Sequence, residues 1–250
     1  MRVAAEYRFD SYGVSIERVV RPSILCYSWP NVRGESVEDA KRELMSRLRG
    51  EISDSRVVDA MERVPREAFV PEKYRHATYE DSALPLSKGQ TISQPFMIAT
   101  MIEALGPRRS DKVLEVGTGS GYQAAILAEL VREVLSVERI KSLADTAKDR
   151  LKSLGYENVT VRVAEERIGW VSEAPYDGIV VAAAAPKLIR GLVDQLADGG
   201  RLVIPVGGRR QQNLMKVVRS DANYSVTTLA ACRFVPLIGQ DAWPESDSES

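Results

Sequence analysis

From residue 111 onward, short apolar runs alternate with stretches of helical spacing. The apolar runs predict strands at Lys112–Val116, Val134–Val137, Val159–Val163, Gly178–Ala182, Gly200–Val206 and Leu214–Arg219, with a last one from Ser225 to Phe234. The amphipathic stretches predict helices at Gln123–Leu130, Ile140–Leu154 and Pro186–Leu196. Nearly all-apolar strands need cover on both faces, so the pattern reads as α/β, a doubly wound and mostly parallel sheet. A tight Asp221-Ala222-Asn223 turn joins the last two strands and predicts an antiparallel edge.

Upstream the pattern is helical. Val37 to Leu48 has helical spacing, with Ser36 as cap and Asp39 three residues later. A second helix begins at Ser53-Asp54, runs through Val57, Val58 and Met61, and stops near Pro65. Gln94-Pro95 opens a third, Phe96 to Leu105, with proline where its missing donor costs nothing. The expected division is an N-terminal extension (1–35), a helical and substrate-loop region (36–110) that helps cover the site, an α/β domain (111–243) and an acidic tail (244–250). The extension, with its aromatics and prolines among charges, is expected to be poorly ordered, a hairpin or arm being the alternative. The tail is expected to be disordered.

Composition narrows the function classes. The 250 residues are 44% hydrophobic and 28% charged, with a net charge of −1, so nothing demands a polyanionic partner. Two distant cysteines, Cys26 and Cys232, read as reduced thiols of a cytosolic protein. One histidine, His76, cannot build a His-based metal site and gives little room for a hydrolase triad; it reads as a surface residue. No apolar stretch is long enough to span a bilayer.

The candidate chemistry starts at Val113-Leu114-Glu115-Val116-Gly117-Thr118-Gly119-Ser120-Gly121-Tyr122. A strand enters a glycine-rich turn, a helix follows, and the next strand ends at Glu138. Glycines allow a tight turn and close approach of a ligand; an acidic residue at the next strand end can accept from a ribose diol. The spacing is Gly-x-Gly-x-Gly and no phosphate-loop lysine follows. That favours a ligand with a ribose and no pyrophosphate, and S-adenosylmethionine is the candidate.

A second constellation is Leu84 to Pro95. It reads either as a turn followed by a helix cap, with Ser93 or Thr91 capping, or as hydroxyls and helix-start amides that hold an anionic group. Asp81, just before it, either orders that loop or faces substrate. Gln211 and Gln212 belong to a solvated basic corner or to a cofactor-side loop. Trp170 and Trp243 read as packing residues.

These residues carry a resemblance. The stretches VPREAFVP (Val64 to Pro71), LPLSKGQTISQPFMIATM (Leu84 to Met101), VLEVGTGSGYQAAILAEL (Val113 to Leu130), SVERI (Ser136 to Ile140), LGYENV (Leu154 to Val159), GGRLVIPVG (Gly199 to Gly207) and RFVPLIG (Arg233 to Gly239) are collinear. Over roughly residues 41–240 the chain resembles the protein-L-isoaspartate O-methyltransferases. GQTISQP is specific to that family, whereas the glycine motif is shared by many methyltransferases.

The resemblance implies S-adenosylmethionine-dependent methylation of the α-carboxyl of L-isoaspartyl residues in damaged proteins. It gives Ser93 as the active-site serine, also touching substrate. Thr91, Ile92, Glu115, Gly117, Thr118, Gly119, Gly121, Glu138, Arg139, Glu165 and Glu166 fall on the cofactor side. Val235, Pro236 and Leu237 lie along the bound peptide, and no metal is involved. The implied partners are isoaspartyl proteins and peptides, with no nucleic acid or membrane, for a cytoplasmic monomer. The chain departs from the family at Ala164-Glu165-Glu166, where Gly-Asp-Gly is usual, and at Ala182, where threonine is frequent. Those changes leave open another carboxylate acceptor, or a non-catalytic relative with an altered adenine pocket.

Overall fold

The computed structural model describes residues 7–9, 15–18 and 36–245. Its elements are β1 (Tyr7–Phe9), β2 (Ser15–Arg18), α1 (Val37–Glu51), α2 (Ser55–Arg63), β3 (Leu84–Pro85), β4 (Thr91–Ile92), α3 (Pro95–Leu105), β5 (Lys112–Val116), α4 (Tyr122–Ala128), β6 (Glu133–Glu138), α5 (Lys141–Ser153), β7 (Val159–Val163), β8 (Tyr176–Val181), α6 (Arg190–Val193), β9 (Leu196–Gly207), β10 (Gln212–Ser220) and β11 (Asn223–Cys232). They fall into two compact units, one of residues 1–27, 112–117 and 164–250, the other of 28–111 and 118–163. The boundary expected near residue 110 is thus one of several places where the chain crosses between them.

In the first unit β5, β8 and β9 pair in parallel, and their central residues, Val113, Leu114, Ile179, Val180, Leu202 and Val203, are fully buried. β9, β10 and β11 then pair antiparallel, which is the predicted edge. Beyond it, β2 adds to β11 in parallel, and β1 pairs antiparallel with β2. The poorly ordered extension expected for 1–35 therefore contains two strands; the rest of that segment, Cys26 included, lies outside the described residues. So does the tail beyond residue 245.

In the second unit β6 and β7 pair in parallel under α4 and α5. The three N-terminal helices gather around Met45, Leu48, Val57, Met61, Met101 and Ile102, all essentially without exposed surface. Each such side chain contributes about 1.5–3 kcal/mol by leaving water. The predicted Ser36 cap forms, accepting from the Asp39 amide at 3.2 Å, and Asp54 caps the second helix, accepting from the Arg56 amide at 3.1 Å. The Glu103 carboxylate reaches across from α3 to the Ser53 and Asp54 amides, at 2.6 and 3.1 Å, and joins the second and third helices.

One element departs from expectation. The helix predicted for Pro186–Leu196 is a single turn, Arg190–Val193. Ile189, inside the predicted span, is extended, at φ −87° and ψ 103°, whereas Asp194 after the turn is still helical. Ahead of the span, the Ala184 amide donates to the Val235 carbonyl and the Ala185 amide to the Pro205 carbonyl.

Candidate active site

The glycine turn is shaped by backbone geometry that only glycine adopts cheaply. Gly117, Gly119 and Gly121 have φ of 99°, 53° and 90°. Gly121 has a packing reason as well, because a Cβ there would lie 3.3 Å from Leu151 Cδ1. Around Gly119 there is room: its imaginary Cβ meets only Leu86 Cδ2, at 3.9 Å. Thr118, buried in the same turn, shares a 2.6 Å hydrogen bond with the Ser136 hydroxyl of β6.

Glu138, at the end of β6, is 7% exposed. Its Oε2 accepts from the Gly119 amide at 2.9 Å and its Oε1 from the Ile140 amide at 2.9 Å. An ionised carboxylate offers about four acceptor positions, so roughly two remain for a ribose diol. A fixed carboxylate beside an uncrowded glycine fits the ribose of S-adenosylmethionine. Arg139, next in sequence, is exposed.

The Leu84–Ile92 segment is a hairpin of two-residue strands, β3 paired with β4, closed by the Leu86–Gln90 loop with Lys88 and Gly89 at positive φ. Thr91 is exposed, Ile92 buried and Ser93 half-buried, just ahead of α3. The sequence left Ser93 or Thr91 as the cap of that helix. The structure instead puts Gln94 at the cap position, with no capping bond from its own side chain. Asp81 does the work from outside: Oδ1 accepts from the Phe96 amide at 2.8 Å, and Oδ2 from Gln94 Nε2 at 2.9 Å. One helix-start amide is therefore already satisfied by a carboxylate, and Ser93 is left out of the capping role.

Beneath this segment lies Arg66, which the sequence reading passed over. It has no exposed surface. Nε donates to the Thr78 carbonyl at 2.9 Å, Nη2 donates to the Ser93 carbonyl at 3.2 Å, and the guanidinium carbon lies 4.7 Å from the Tyr122 ring centroid. Phe69 packs on the same ring at 5.5 Å between centroids. Burial works against the Arg66 charge, while Tyr122 and Asp81 favour it. His76 is exposed, on the short 3-10 helix Glu72–Ala77.

In the first unit, Glu115 is fully buried on β5. Gly117 sits on Ala182, whose Cβ would be 3.4 Å from a Cβ at 117. Val235, Pro236 and Leu237 are held extended against Ala184, whose amide donates to Val235 and whose carbonyl accepts from the Leu237 amide, both at 2.8 Å. Gln212 is a buried bracket. Its Nε2 donates to the Gly208 carbonyl, and its Oε1 accepts from the Phe234 amide at 2.9 Å. Trp243 packs under Arg209, whose guanidinium carbon is 4.7 Å from the ring centroid. Glu165 and Glu166 are exposed, and Glu166 is absent from the positive-φ residues, so this carboxylate replaces a glycine without backbone strain. The glycine that cannot be replaced here is Gly169, at φ 96°, where a Cβ would collide with the Gln195 amide. Among the described residues no group of three or more acidic, His or Cys side chains could hold a metal.

The glycine turn, the strand-end carboxylate and the parallel sheet define an S-adenosylmethionine-dependent methyltransferase fold. Comparison with known proteins makes the family specific. The family Protein-L-isoaspartate(D-aspartate) O-methyltransferase (PCMT) matches residues 39–242, and the chain belongs to it. Protein-L-isoaspartate O-methyltransferase 2 of Marinobacter nauticus is 49% identical over 219 residues, 86% of this chain and 100% of that one. The Pseudomonas paraeruginosa protein-L-isoaspartate O-methyltransferase is 52% identical over 202 residues, 79% of this chain and 95% of the relative. Among solved structures, a Plasmodium falciparum protein assigned to the same activity, in complex with S-adenosyl-L-homocysteine, superposes with a TM-score of 0.69 at 27% identity. That match covers 80% of this chain and 99% of the other.

Proposed function

We propose that this chain is an S-adenosylmethionine-dependent enzyme that methylates the α-carboxyl of L-isoaspartyl residues in damaged proteins and peptides. The observation that carries the reading is the family match over residues 39–242, which contains both the Thr91–Ser93 segment and the glycine turn. When bound, S-adenosylmethionine supplies a methyl group activated on a sulfonium. The acceptor is a carboxylate, already a nucleophile near neutral pH, so the protein's task is alignment and exclusion of water rather than base catalysis. A single exposed histidine agrees with that economy. The Glu138 carboxylate and the Gly119 turn hold the ribose. Thr91, Ile92, Glu115, Gly117, Thr118, Gly121, Arg139, Glu165 and Glu166 complete the cofactor side.

The half-buried Ser93 hydroxyl orients the acceptor carboxylate, and the extended Val235–Leu237 backbone lies along the peptide. Methylation turns the carboxylate into an ester with a better leaving group. The neighbouring backbone nitrogen of the substrate then closes a succinimide, and methanol leaves. Hydrolysis of that ring returns part of the material to normal aspartate. We place the enzyme in the cytoplasm as a monomer, with protein and peptide substrates and no nucleic-acid or membrane partner. The near-zero net charge and the buried thiol of Cys232 support that setting.

The test is methyl transfer to an isoaspartyl peptide beside its normal-aspartyl twin. Transfer to the isoaspartyl peptide alone is the expected result. Equal transfer to both, or to neither, removes the reading.

A further inference from the structure

We propose that Arg66 is a positioning residue for methyl transfer, one whose buried guanidinium ties the Ser93 backbone to the first residue of the helix that leaves the glycine turn. The inference rests on the proposed function for its catalytic readout and on geometry alone for its structural one.

Three observations carry it. First, Arg66 is 0% exposed yet is hydrogen-bonded to carbonyl oxygens, Thr78 and Ser93, rather than to a carboxylate. A fully buried cation is costly, and such a side chain persists where its fork of donors fixes something else. Second, what it fixes is the segment around the proposed catalytic hydroxyl. Ser93 lies between β4 and the cap of α3, and its carbonyl is held by Arg66 from below while Asp81 holds the Phe96 amide from the side. Third, the guanidinium carbon lies 4.7 Å from the ring centroid of Tyr122, the residue directly after Gly121. Tyr122 is itself buried, between Arg66 and Phe69.

One planar group thus touches the acceptor-side strand end and the start of α4, which follows the cofactor-side turn. Nothing in this arrangement places Arg66 on substrate. It acts through Ser93 and Tyr122. The guanidinium is held by two carbonyls and by Tyr122, which favours its charge, and a lysine cannot reproduce that planar fork.

The experiment compares Arg66→Lys, Arg66→Gln, Ser93→Ala and the Arg66→Lys/Ser93→Ala double variant. Three readouts are taken: kcat on an isoaspartyl peptide, S-adenosylhomocysteine affinity by calorimetry, and amide hydrogen exchange over residues 91–96. The expected outcome for Arg66→Lys is a loss in kcat of at least about tenfold, with cofactor-product affinity kept within about threefold. Exchange should rise in residues 91–96 and stay unchanged in α5. If Arg66 acts through Ser93, the double variant is hardly slower than the slower single variant.

Multiplying losses in the double variant, or unaltered exchange in residues 91–96, would overturn the proposal. So would equal collapse of cofactor affinity and of α5 protection, which marks a merely structural role. Wild-type protein that is inactive on the isoaspartyl peptide refutes the proposed function instead, and the exchange readout still decides the place of Arg66.

Discussion

Glu138 Oε2 accepts a hydrogen bond from the Gly119 amide at 2.9 Å, and this one contact fixes the middle of the glycine turn to the end of the neighbouring strand. The same carboxylate is the proposed ribose ligand, so it has two tasks. Replacing it with alanine is expected to weaken S-adenosylmethionine binding by about 1.5–3 kcal/mol, the range for hydrogen bonds to a charged group. Calorimetric titration measures this directly. An unchanged affinity would take Glu138 out of the cofactor site and leave it as a turn brace.

Ser93→Ala should separate binding from turnover. Its hydroxyl is not needed to cap α3, because Asp81 reaches the Phe96 amide. The variant should therefore fold and bind S-adenosylhomocysteine like the parent, while kcat on an isoaspartyl peptide drops about 10- to 100-fold, as expected when an interaction made chiefly in the transition state is lost. Parallel losses in affinity and turnover would contradict the role given to Ser93.

Asp81→Ala removes an external cap and a nearby countercharge for Arg66. A lost cap costs about 0.5–2 kcal/mol. Urea unfolding should show a lower midpoint with an unchanged slope. A midpoint equal to that of the parent would mean that the Phe96 amide finds another acceptor.

Cys232 gives a pH signature. Burial pushes its thiol from an ordinary 9.0 up to about 12. The folded protein therefore favours the neutral thiol. The associated stability is fully present below pH 9.0 and is lost as pH rises toward about 12, where the unfolded chain would release the proton first. Urea unfolding of the parent should lose more stability between about pH 7 and about pH 10 than unfolding of Cys232→Ala. Identical pH slopes would show that the thiol does not contribute. Thiol reagents at neutral pH should label this position only on unfolding.

The sequence carried strands β5 to β11, the glycine turn and Glu138 because each has a local signature: an apolar run, a fixed glycine spacing, a strand-end carboxylate; β1 and β2 were not legible. The single-turn α6 was not legible, because Ile189, inside the predicted span, is extended, and nothing local in the sequence marks it. Asp81 was half legible. Its carboxylate suits a cap, but fifteen residues separate it from the amide it caps, Phe96. Arg66 gave no signal, since an arginine after a proline ordinarily reads as surface. Only the folded chain shows it under Ser93 and against Tyr122. Glu166 stands where the family usually has glycine, and the sequence alone could not show that its φ is not positive.

The parallel pairing of β2 with β11 joins opposite ends of the chain, Ile16 beside Val226. A ribosome delivers the first of these strands long before the second exists. Through most of synthesis the Ser15–Arg18 segment can pair with β1 but has no β11 to dock on. Closing so long a loop carries the larger entropic cost, so the β2–β11 pairing is expected to form late.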